Sequence, residues 1–202
     1  MENSLKFKQD KYVHLQELIP LDLCRVVTQY ALIKEDVEFT PEPIEYSQVA
    51  NAHSVYADTL METMLHFLHP HMEKQTGLSL CPTYTYYRVY RPGMDLKPHM
   101  DRPSCEISTT VCFGINYNDK PTDYRWGMYV HPGIMIPQNP GDLLIYRGCE
   151  VEHWREPFDA GAGSYQVQAF FHFIDKNGPY YPEFAYDNRP RLGWKLDSKT
   201  NK

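Results

Sequence analysis

Two periodicities divide the chain. In residues 20–34 (PLDLCRVVTQYALIK), Leu23, Val26, Val27, Tyr30 and Leu32 follow a helical stripe behind a first-turn proline, Pro20. Residues 54–75 repeat that pattern, with Leu60, Met64, Leu65 and Leu68 three to four apart. Ser54 is a candidate cap for this second helix, Gly77 a stop, and Pro70 a point where it kinks or ends early. Residues 37–50, which contain Pro-Glu-Pro, read as loop. From Thr83 the pattern becomes β-type. Residues 83–90, 106–117, 126–131, 142–148 and 165–175 read as strands, punctuated by Arg91-Pro92-Gly93, Asn139-Pro140-Gly141 and Lys176-Asn177-Gly178. Short strands between Gly/Pro turns, with helices in front, predict a mainly β protein with N-terminal helices and a jelly-roll core. The expected organisation is a single domain: 1–80 as helical support, 81–178 as the jelly roll, and 179–202 as an irregular tail over the core.

Composition narrows the class. At 202 residues the chain suits one domain, and 42% hydrophobic with 23% charged residues is ordinary for a soluble globular protein. The 16 tyrosines are many, and tyrosine suits half-buried strands and pocket walls. A net charge of -6 with scattered Lys and Arg argues against a nucleic-acid partner. No apolar run is long enough to span a membrane, and the first residues lack the apolar core of a secretory signal. Cys24, Cys81, Cys105, Cys112 and Cys149 are odd in number and lack CxxC spacing, so reduced thiols in a cytoplasmic protein are expected rather than disulfides or a zinc ribbon.

The candidate chemistry is a metal site. His99 and Asp101 lie two apart after a strand-turn segment, and His153 follows the strand at 142–148. Two imidazoles and one carboxylate leave coordination positions open, which suits non-haem iron(II). A structural zinc site would fill all four positions. His14, His53, His66, His69, His71 and His131 read as surface or packing residues.

Residues 90–101 (YRPGMDLKPHMD) resemble the iron-binding segment of the prolyl 4-hydroxylase-like branch of Fe(II)/2-oxoglutarate-dependent dioxygenases, where a Tyr, a Pro-Gly turn and a PHxD motif occur in this order. Residues 141–148 followed by His153 resemble the strand leading to that family's distal histidine, and 126–130 its connecting edge strand. The resemblance implies a double-stranded β-helix, iron(II) held by His99, Asp101 and His153, 2-oxoglutarate as cosubstrate, and O2. It implies hydroxylation of a C–H bond with decarboxylation of 2-oxoglutarate to succinate.

At one place the chain departs from the family. There an Arg or Lys about ten residues past the distal histidine binds the far carboxylate of 2-oxoglutarate. Here residues 160–165 read AGAGSY. Substitutes are Tyr90 with Arg88, which shares its strand parity, or with Arg155, two residues past His153; Ser164, Gln166 and Gln168 can add hydrogen bonds. Arg155 can instead pair with Glu152 or Glu156 at the surface, and Arg88 with a buried carboxylate. Arg102 and Glu106 can reach substrate at the barrel mouth or form an ion pair, and Trp154 beside His153, a third candidate for substrate contact, suits packing more than catalysis. The substrate can be a small molecule, an amino acid or a peptidyl residue; the tyrosines with Arg88, Arg91 and Arg102 suit a small polar or carboxylate-bearing one. The competing readings are a non-catalytic jelly-roll binding module and a metal-dependent hydrolase using the same ligands. The hydrolase reading lacks an HExxH-type base beside His99.

Overall fold

The structure is a computed structural model and describes residues 2–38 and 48–194. In chain order its elements are α1 (Glu2–Asp10), β1 (Tyr12–Leu15), α2 (Leu21–Glu38), β2 (His53–Tyr56), α3 (Thr59–Thr76), β3 (Leu80–Tyr90), β4 (Leu96–His99), β5 (Ile107–Asn116), β6 (Met128–Val130), β7 (Ile134–Ile136), β8 (Leu143–Arg147), β9 (His153–Arg155) and β10 (Tyr165–Asp175). Two antiparallel sheets form, one ordered β1-β8-β5-β10-β3-β2 and the other β4-β9-β6-β7. This is the expected jelly roll, a double-stranded β-helix, with helices packed on the larger sheet.

Side-chain parity assigns the two faces of that sheet. Tyr87 and Val89 of β3, Val111 and Phe113 of β5, and Val167, Ala169, Phe171 and Phe173 of β10 join Val27, Ala31, Met61, Leu65 and Leu68 in one apolar core. The alternate positions face the smaller sheet. They are Tyr84, Tyr86, Arg88 and Tyr90 on β3, Ser108, Thr110 and Cys112 on β5, and Gln166, Gln168, Phe170 and His172 on β10. This inner face is buried yet largely polar. Burying polar groups is costly unless they are bonded, so the inner face marks where the protein's chemistry sits.

The second helix differs from the sequence expectation. It begins at Thr59, with Asp58 as its cap, accepting from the Leu60 and Met61 amides. Ser54, the expected cap, lies in β2, because residues 53–56 pair with 86–89 of β3. Gly77 ends α3 at φ 73° as expected, and Pro70 sits inside it without ending it. Leu65, Leu68 and Met72, buried on both sides of Pro70, hold the helix across that point. Helix α2 runs to Glu38 rather than stopping at 34 and takes in the first two residues of the expected 37–50 loop, of which residues 39–47 lie outside the described residues. Elements α1 and β1 were not expected. α1 buries only Phe7, too little to give a stripe, and β1 exists through its pairing with β8.

Of the expected tail, residues 195–202 lie outside the described residues, and residues 180–194 are clamped to the core. The buried Arg189 guanidinium meets Glu62 at 2.5 Å and donates to the Thr83 carbonyl at 2.9 Å. Just before it, Tyr186, Asp187 and Asn188 all take positive φ (52°, 56° and 60°). That conformation is unfavourable for residues other than glycine and persists where surrounding contacts impose it. None of the described helices is long and apolar enough to cross a membrane.

Candidate metal centre

Strand pairing builds the centre. His99 at the end of β4 lies directly opposite His153 at the start of β9. Asp101 follows β4 and is fixed by its amide, which donates to the Gly148 carbonyl at 2.8 Å. The Asp101 Oδ1 lies 3.6 Å from His99 Nε2 and 3.6 Å from His153 Nε2. All three donor atoms lie within 4.8 Å of one another.

Hydrogen bonds behind the three side chains aim them. His99 Nδ1 donates to the Lys97 carbonyl at 2.8 Å, and His153 Nδ1 to the Val151 carbonyl at 2.9 Å. Each ring is thereby held with its Nε2 lone pair toward Asp101, the tautomer a metal ligand needs. Burial lowers the pKa of His153, which keeps it neutral. Asp101 accepts from Ser108 Oγ at 3.0 Å through Oδ2, which leaves Oδ1 free. Ser108 Oγ is also 2.8 Å from His172 Nδ1. Gly148 is required here, since a Cβ would come within 2.3 Å of Asp101 Oδ2 and of the Cys105 carbonyl. Three unprotonated donors thus converge, and this donor set fits a divalent cation with open positions. Asp101, Cys105 and His172 also converge. Burial pushes the Cys105 thiol well above its ordinary pKa, and that thiol is 3.1 Å from the Tyr84 hydroxyl, so it is a poor ligand.

The three residues open on a cavity of about 350 Å³ whose walls include Tyr84, Tyr86, Arg88, Phe170 and His172. Arg88 is buried; it donates to Ser54 Oγ at 3.0 Å and to the Tyr90 hydroxyl at 3.0 Å. Arg155 is 1% exposed, so it is not the surface residue that pairing with Glu152 or Glu156 would require. Like His153 it points inward, while Trp154 between them is partly exposed and stacks on Tyr129. The Arg155 guanidinium donates to Gln138 Oε1 at 2.6 Å and to the Trp126 carbonyl at 3.1 Å, and its Nε has no partner. It lies 5.8 Å from the Tyr90 ring centre. Gln168 donates to Thr110 Oγ1 at 2.5 Å and to Gln138 at 3.1 Å, and accepts from Gln166 at 2.9 Å, completing a buried polar cluster beside Arg155.

The other sequence candidates are placed differently. Ser164 Oγ accepts from the Asn118 amide at 2.8 Å and serves a turn. Glu106 accepts from the Asp175 amide at 2.8 Å, away from the cavity walls. Arg102 does line the cavity, but as an ion pair: both its terminal nitrogens meet Asp187, at 2.7 and 2.9 Å, and it lies 4.6 Å from the Tyr84 ring centre. Ser108, Gln138 and His172 are contributors the sequence reading did not single out. Parity along β5 and β10 points Ser108 and His172 inward; Gln138 sits in a loop and has no such signal.

No family model matches this sequence, and no curated protein matches it significantly. Many solved structures share its shape. A Pseudomonas putida prolyl-4-hydroxylase is 15% identical, with a TM-score of 0.61 over 85% of this chain and 97% of that one. SnoN, a non-heme α-ketoglutarate-dependent epimerase from nogalamycin biosynthesis, is 14% identical, with a TM-score of 0.67 over 96% and 90%. EctD from S. alaskensis, solved with 2-oxoglutarate and 5-hydroxyectoine, is 12% identical, with a TM-score of 0.66 over 95% and 85%. At such identities the likeness is one of fold, and the chain has the double-stranded β-helix fold of the Fe(II)/2-oxoglutarate oxygenases.

Proposed function

We propose that the protein is an Fe(II)- and 2-oxoglutarate-dependent oxygenase that hydroxylates a C–H bond of a small molecule, amino acid or peptidyl residue. The observation that carries this reading is the convergence of His99 Nε2, Asp101 Oδ1 and His153 Nε2, with both imidazoles oriented from behind. Bound iron(II) would supply the centre at which 2-oxoglutarate and O2 react to give succinate, CO2 and an oxidised product.

The chain's own groups do the positioning. Ser108, backed by His172, holds Asp101 in place. Arg155 takes the far carboxylate of 2-oxoglutarate, filling the role the family gives to a basic residue on the last strand. Two residues along a strand span about 7 Å, which is within the length of a five-carbon diacid, although Arg155 lies behind the cavity wall and not on it. Tyr90 assists: its hydroxyl accepts from Arg88, which leaves its own proton for the carboxylate. The buried walls exclude water around these groups, which strengthens each charge-assisted bond.

The test is succinate formation from 2-oxoglutarate by the iron(II)-loaded protein, its His99→Ala variant and its Asp101→Ala variant. Loss in both variants is expected. Succinate output unchanged in both overturns the reading.

A further inference from the structure

We infer that the substrate carries a carboxylate, bound by Arg88 on the cavity wall; this rests on the oxygenase reading above. Three arginines near the site suit an anionic ligand by sequence, and the structure separates them. Arg91 is paired with Glu35 and Arg102 with Asp187. Arg88 lines the cavity, is 2% exposed, and has no carboxylate partner among the described residues; its bonds go to the neutral hydroxyls of Ser54 and Tyr90. A buried cation without a counter-charge is costly, so such a group marks a place where an anion is bound.

Charge balance inside the barrel gives the same answer. Arg88 and Arg155 bring two positive charges, a divalent ion two more, and Asp101 one negative. A dianionic cosubstrate leaves one positive charge over, and a monoanionic substrate cancels it. The two cations differ in position: Arg88 lines the cavity, while Arg155 follows His153 on β9 and lies behind the cavity wall, enclosed by Gln138 and Trp126. The Arg88 guanidinium lies 5.0 Å from the Tyr86 ring centre and 5.9 Å from that of Phe170. These rings fix its plane and offer apolar surface to the rest of a ligand. The substrate class is therefore a small carboxylate with an apolar or aromatic body.

The experiment uses the full chain loaded with Mn(II) and 2-oxoglutarate. Matched acid and amide probes are added, phenylacetate against phenylacetamide and N-acetylleucine against its amide. Relaxation of probe protons by the bound Mn(II) reports binding near the metal without turnover. The acids are expected to bind roughly tenfold to a hundredfold more tightly than the amides, the worth of a buried charge-assisted bond. Arg88→Met is expected to erase that preference, and Arg88→Lys, which keeps the cation, to retain part of it. In parallel, 2-oxoglutarate affinity is measured by calorimetry and should fall far more in Arg155→Met than in Arg88→Met. Equal binding of acids and amides, or no relaxation of either acid, overturns the inference. So does a larger loss of 2-oxoglutarate affinity in Arg88→Met than in Arg155→Met. Failure of the wild-type protein to bind 2-oxoglutarate sinks the oxygenase reading instead, and the acid-over-amide comparison is scored separately from it.

Discussion

Replacing Ser108 by alanine isolates the support behind the metal centre. The Ser108 hydroxyl is 3.0 Å from Asp101 Oδ2 and 2.8 Å from His172 Nδ1. With His172 donating to it, its own proton is left for Asp101 Oδ2 or the Cys105 carbonyl, both at 3.0 Å, and the charged carboxylate is the stronger acceptor. Alanine removes both contacts and leaves a carboxylate oxygen and a ring nitrogen without those partners. Orphaning such groups costs about 1–3 kcal/mol, and losing a partner behind a metal ligand typically costs about tenfold to a hundredfold in metal affinity. The assay is competitive titration of Fe(II) or Co(II) against a chelating dye under argon, with circular dichroism to check folding. Thr109→Val is the control. It lies on the same strand but faces away from the centre, and its hydroxyl is buried without a partner. That variant should bind metal normally and gain slightly in stability. If Ser108→Ala binds metal within about twofold of wild type, Asp101 is not oriented from behind and the reasoning fails.

Other consequences follow from single contacts. Gly148→Ala should weaken metal binding without replacing a ligand, since the new Cβ would press on Asp101 Oδ2 and on the Cys105 carbonyl, each at 2.3 Å; the same dye titration checks it. Arg189→Met strands the buried Glu62 carboxylate and should destabilise the fold by about 3–5 kcal/mol in urea unfolding, the usual cost of breaking a buried pair. Burial pushes the Asp187 carboxyl up, but hydrogen bonds from Arg102, Ser104 and Tyr56 outweigh it and hold the pKa at about 2. A depressed carboxyl adds stability above its unfolded value of 3.8, and that stability is lost as pH falls toward 2. The melting-temperature gap between wild type and Asp187→Asn should therefore be full at pH 5 and narrow below pH 4.

The long elements were legible because each carries its own period. β10 spans 165–175 as read, and β5 and β8 differ from expectation by one residue at each end. Of the three- and four-residue strands only β6, inside the expected 126–131, was legible. A segment such as His153–Arg155 cannot display alternation, and it becomes a strand only by pairing with β4 and β6. The misplaced start of α3 has a similar cause. Residues 53–56 continue the apolar character of the helix, and what makes them a strand is β3, some thirty residues further on.

The metal triad was legible in part for a different reason. His99 and Asp101 are close in sequence, so a short motif carries them, while His153 depends on strand register. The proposed carboxylate anchor shows the limit of spacing arguments. Counting residues past His153 finds no cation on the last strand, yet among the described residues the barrel interior holds two, Arg88 and Arg155. Each sits at an inward-facing position of a strand, in register with a residue already assigned inward: Arg88 with Tyr90, Arg155 with His153. A jelly roll brings every inward position to one chamber, so a cation can serve that chamber from any strand that lines it. The number of inward cations left without a carboxylate partner is therefore a better guide to the ligands of such a barrel than the distance of any one of them from the distal histidine. Among the described residues that number is two, and with a divalent ion bound, as proposed, a dianion alone would not account for it.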